Sequence, residues 1–141
     1  MQSIGGAGGI NANLAPEAFH RWATHYYKCR RDFQCPDRFS PVPYFLLCRA
    51  IELEIKARHL KGMTQAEVKR KFGHDLEGAY YALDPAEKAL TRSEEHTLRV
   101  ASDIYNAKDF EYFDPQDALT GYSRFPDLTS LDSIASKLVG R

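Results

Sequence analysis

The run from Tyr44 to Lys61, YFLLCRAIELEIKARHLK, constrains the fold of this chain more than any other stretch. Leu46, Ala50, Leu53, Ala57 and Leu60 recur at helical spacing, and Leu47, Ile51 and Ile55 form a second stripe beside them. Two adjacent stripes make a broad apolar face, which marks the central helix of a bundle. The remaining face offers Glu52 with Lys56 and Glu54 with Arg58 in the acid-first order. Such i, i+4 pairs are worth about 0.2–0.5 kcal/mol each when exposed. Gly62 supplies a stop.

The flanking sequence reads as further helices. Phe19, Trp22, Ala23, Tyr26 and Cys29 recur at spacings of three and four between Pro16 and Arg31, the pattern of one buried face. Three prolines between Pro36 and Pro43 make that interval a connecting loop. Thr64 with Glu67 forms a capping box for a short helix through Phe72, which Gly73 ends. Asp75 caps the next helix, with Leu76, Ala79, Tyr80 and Leu83 inward despite Gly78. Asp84-Pro85-Ala86-Glu87 reads as another restart, and Thr91 with Glu94 opens a longer helix that ends near Asp109. Phe110 to Phe125, with Pro115 and Gly121, reads as an irregular segment packed on the bundle. A last helix follows Pro126, with Leu128, Leu131, Ile134 and Leu138 inward. The expectation is an all-α, up-and-down bundle of about five or six helices forming one domain over 14–141. Residues 1–13, rich in glycine and without a periodic face, read as a flexible arm.

Nineteen Lys and Arg balance nineteen Asp and Glu, so no global positive field advertises a polyanionic partner. No apolar segment approaches the roughly 20 residues that span a bilayer, so no membrane partner is expected. The odd count of three cysteines, with no zinc-site spacing, suits a reducing cytoplasm, and Cys48 reads as a core residue.

Candidate chemistry rests on histidines near arginines. Arg21 with His25, Arg70 with His74 and Arg92 with His96 are each four apart, so on a helix each pair shares a face. A histidine able to take a proton from an RNA 2′-hydroxyl, beside an arginine on the phosphate, is suitable equipment for metal-independent phosphodiester cleavage. Arg70 and His74 flank the helix break at Gly73, so they are the candidate catalytic pair, while Lys69, Arg70, Lys71 and His74 are candidate RNA or phosphate ligands. The competing reading is that His74-Asp75 simply caps and anchors a helix. Glu17-x-x-His20 has a dimetal-bundle spacing, with Glu52, Glu54 and His59 as conceivable further ligands, but no second Glu-x-x-His exists. No metal and no cofactor are therefore expected.

Ala50-Ile51-Glu52-Leu53-Glu54-Ile55-Lys56-Ala57, followed by Gly73-His74-Asp75-Leu76, resembles the HEPN superfamily of helical proteins found in prokaryotic defence systems, toxin–antitoxin pairs and RNA processing. The resemblance covers the layout from Trp22 to Phe125. It implies a helical bundle that forms homodimers, with RNA or a nucleotidyltransferase-type protein as partner. In active members it implies a metal-independent ribonuclease with four to six residues between Arg and His, lining a cleft between two subunits. Here every Arg–His pair encloses only three residues, and the nearest substitute with four is Lys69 to His74. That departure favours a noncatalytic binding or interaction module, with a ribonuclease built on Arg70 and His74 as the alternative.

Overall fold

The computed structural model describes residues 14–140. The arm expected over 1–13 lies outside the described residues. Seven α-helices follow one another: α1 (Ala15–Asp32), α2 (Val42–His59), α3 (Gln65–Phe72), α4 (Leu76–Tyr81), α5 (Arg92–Asn106), α6 (Pro115–Leu119) and α7 (Leu128–Leu138), with a 3₁₀ turn at Pro85–Glu87. The all-α bundle expected from periodicity is what forms.

The middle of the bundle is α2. It packs along α1 and also meets α4, α5 and α7, so it is covered on nearly every side. Leu47, Cys48, Ala50, Ile51 and Ile55 are fully buried. Burial also pushes the Cys48 thiol far up from its ordinary range, which makes it an inert core residue. The Glu-bearing face is buried as well: Glu52 and Glu54 both lie inside. Their i, i+4 pairs exist, Lys56 to Glu52 at 2.6 Å and Arg58 to Glu54 at 3.5 Å, but they sit between helices rather than on the surface.

Local signals set most helix starts. Thr64 with Glu67 and Thr91 with Glu94 both close reciprocal capping boxes. Asp75 caps α4 through Gly78 N–H at 3.0 Å and also accepts from Ser102 Oγ at 3.3 Å, tying the α4 start to α5. A Cβ at Gly78 would lie 2.4 Å from Asp75 Oδ2, so a larger residue there would displace the capping carboxylate. Asp84 departs from expectation: its side chain makes no cap, and only a three-residue 3₁₀ turn follows. Burial of Leu90, whose N–H donates to Tyr80 Oη at 3.0 Å, draws the chain inward before another helix can propagate. Helix α5 stops three residues short of Asp109 because Lys108 takes a left-handed conformation (φ 63°) and Asp109 N–H closes onto Ile104 O.

The segment from Phe110 to Phe125 packs as expected, with one short helix, α6, inside it. Phe39 stacks on Tyr122, Tyr44 on Phe110, and Phe125 meets all four rings edge-on. Arg124 clips the segment through Asp117 (2.6 and 2.9 Å) and Asp109 (3.0 Å). The C-terminal helix is held by polar ties: Arg30 of α1 pairs with Asp132, and Lys137 with the buried Glu94 of α5.

Candidate functional site

Glu52 is the centre of a polar knot that reaches a cleft. Its carboxylate is 3% exposed, deep enough that ionisation needs several donors. Arg49 Nη1 (3.1 Å) and Lys56 Nζ (2.6 Å) reach it from the same helix, His74 Nδ1 (2.9 Å) from the turn between α3 and α4, and Tyr105 Oη from α5. Burial opposes the charge, but hydrogen bonds from Lys56 and Tyr105 and the positive charge of Lys56 outweigh it and hold the carboxyl below the ordinary range. Burial and the adjacent carboxylate push the Tyr105 phenol up, so it stays a donor.

His74 reaches Glu52 because of Gly73. Gly73 ends α3 with φ 54° and ψ −123°, a conformation that L side chains rarely adopt, and the reversed chain turns the next residue back toward α2. Because ionised Glu52 only accepts, His74 Nδ1–H is the donor, and in the neutral ring Nε2 is the acceptor. The imidazole also lies edge-on to Tyr105.

Beside this knot runs a cleft of about 540 Å³ between α1, α2 and α3. Phe19 and Trp22 form one wall, Leu53, Leu60, Ala66 and Val68 contribute apolar lining, and Arg49, Lys56, Lys69, His74 and Glu52 supply the charge. Three permanent cations thus face one carboxylate, leaving positive charge in excess. The Phe19 and Trp22 rings are stacked with centroids 6.1 Å apart, and Trp22 is 53% exposed. An aromatic wall beside excess positive charge is equipment for an anionic ligand that carries a flat apolar group.

The candidate residues divide at this cleft. Lys69 and His74 line it; Arg70 and Lys71 do not. Both are exposed, and Lys71 lies over the Phe72 ring on the other side of α3. A helical turn of about 100° per residue makes the separation unavoidable, since positions 69, 70 and 71 cannot share a face. Arg70 therefore stands outside the cleft that His74 lines. His25 and His96 are exposed, and His96 meets Arg99 rather than Arg92.

Sequence reasoning missed Arg49, Lys56 and Trp22 as site residues. Arg49, Glu52 and Lys56 fall at i, i+3 and i+7, one stripe of a helix, and that was the available signal. Trp22 had been assigned to the buried face of α1 with Cys29, but both are exposed; the buried stripe centres on Ala23, with Phe19 and Tyr26 partly covered.

The second buried carboxylate, Glu54, faces α1, where His20 Nδ1 meets it at 2.6 Å. It couples α1 to α2. His59, the other histidine considered as a ligand, bonds Ala79 O at 2.8 Å and packs on Phe72. Among the described residues no group of three or more His, Cys, Asp and Glu is placed to hold a metal ion, and no helix is long and apolar enough to cross a membrane. Comparison with protein-family models, curated proteins and solved structures finds no match.

Proposed function

We propose that the chain is a noncatalytic, HEPN-like binding module of a reducing cytoplasm, and that the α1–α2–α3 cleft is its working surface, holding single-stranded RNA. The observation that carries this reading is the stacked Phe19–Trp22 wall beside Arg49, Lys56 and Lys69. A base stacked on an exposed aromatic contributes about 1–3 kcal/mol, and cations alongside take up the backbone charge. Trp22 on the cleft wall is half exposed, which leaves its ring accessible to a splayed base.

Anisotropy of a labelled oligouridine tests it. Lys69→Glu should weaken binding by about tenfold or more, because it reverses a charge inside the cleft, whereas Arg70→Glu, one position away on another face, should change it by about twofold through screened long-range charge alone. Equal losses from both variants would mean that the basic cluster, not the cleft, does the binding.

One observation favours the ribonuclease alternative: His74 is anchored by a buried carboxylate, the arrangement that orients a general base. On that reading the phosphate clamp passes from Arg70 to Lys69 or Arg49. The protein should then cleave RNA in EDTA, and His74→Ala should abolish cleavage while leaving the helical signal intact. RNA that stays whole in EDTA supports the binding module.

A further inference from the structure

A second surface of this chain has the chemistry to fill the cleft. From Asp109 to the end of α6 the sequence reads DFEYFDPQDAL (109–119), with four carboxylates and no Lys or Arg after Lys108. Arg124 neutralises Asp109 and Asp117, but Glu111 and Asp114 have no ion pair among the described residues. Between those two acids project Tyr112 and Phe113, 69% and 74% exposed. Large aromatics left in water on a segment that is otherwise clipped and ring-packed mark an interaction surface rather than loose chain. The cleft has the opposite character on both counts: an apolar wall open to solvent, and excess positive charge from Arg49, Lys56 and Lys69.

We infer that the occupant of the cleft in the absence of other ligands is the Glu111–Asp114 segment of a second copy of this chain, with Tyr112 or Phe113 against Phe19 and Trp22 and the carboxylates of Glu111 and Asp114 facing Lys69. The inference rests on the cleft being the binding site proposed above, and it adds the partner that occupies and regulates it. Each copy carries one cleft and one segment, and a two-fold arrangement that makes both contacts at once closes as a dimer. RNA and the second copy then compete for one site, and the dimer is the closed form.

Charge exchange tests this on the full chain. Sedimentation should show wild type in a concentration-dependent dimer. Lys69→Glu places an acid against an acidic segment, and Glu111→Lys with Asp114→Asn places a lysine against a basic cleft; Asn keeps the α6 cap. Each variant alone should dimerise about tenfold or more weakly. A one-to-one mixture of the two should recover the dimer, because both of its contacts are again complementary. Phe113→Ser, which leaves every charge in place, should also weaken association. A wild type that stays monomeric at the highest concentration, variants that associate like wild type, or a mixture that fails to recover would each overturn the inference. RNA binding separates the two proposals: Glu111→Lys with Asp114→Asn should bind RNA at least as well as wild type. Charge-swap recovery without any RNA affinity would remove the RNA reading and leave the self-docking intact.

Discussion

Glu52→Ala is expected to destabilise the protein by about 3–5 kcal/mol, read as a drop in the urea midpoint at unchanged slope. The substitution deletes one side chain but strands four groups. Arg49, Lys56, His74 and Tyr105 all direct hydrogen-bonding atoms at that carboxylate, and Lys56 is itself largely buried. Removing one partner leaves uncompensated charge inside, which costs far more than the pair contributes when intact. Domains of this kind hold about 5–15 kcal/mol in total, so the loss is a large share. Glu52→Gln, which keeps the shape and one acceptor, should cost less. The same carboxyl sets an acid limit. Its folded value lies below the ordinary 4.5, so its contribution is complete above that pH and disappears as pH falls through the lowered value. Stability of wild type should therefore decline on acidification below about pH 4.5, and more shallowly in Glu52→Ala. Glu94, whose burial is outweighed by Lys137 and Thr91, is lowered too and keeps some slope in the variant.

Ile51→Ala should cost about 2–5 kcal/mol, against about 0.5–1.5 kcal/mol for Ile51→Val. Ile51 is fully buried on a helix enclosed by four others, so the cavity it leaves has little room to collapse. Trp22→Ala is the informative contrast. Trp22 is larger than Ile51, yet it is half exposed on the cleft wall. Its removal should leave stability within about 1 kcal/mol of wild type while damaging ligand binding. Chemical denaturation of the three variants compares their stabilities in one series; a Trp22→Ala loss matching that of Ile51→Ala would place Trp22 in the core.

How much of this was legible follows from the range of the forces. The caps at Thr64, Asp75 and Thr91 are made by side chains within three residues of the backbone groups they satisfy, so local sequence suffices. The double stripe on α2 likewise identified the bundle centre. The face of α1 was misjudged at Trp22 and Cys29 because spacings of three and four fit two overlapping stripes, and only the neighbours that cover Ala23 choose between them. The burial of the charges on α2 was not legible for a related reason. Glu52 and Lys56 have the spacing of a surface pair, and what buries them is Tyr105, fifty-three positions from Glu52, and His74, twenty-two positions away. The cleft depends on the same distant docking. Arg70 and His74 stand out in the sequence because they flank the helix break at Gly73, and Lys69 and Lys71 join them by adjacency alone; a helix disperses such neighbours, and of the four only Lys69 and His74 line the cleft.

The emission of Trp22 during titration with single-stranded oligouridine tests the cleft most directly, because it is the only tryptophan in the sequence and stands on the cleft wall. The expected result is a saturable quench that weakens steeply with added salt and is lost in Lys69→Glu. Emission that stays unchanged while RNA binds, or a quench that persists in Lys69→Glu, would contradict the assignment of the cleft as the binding surface.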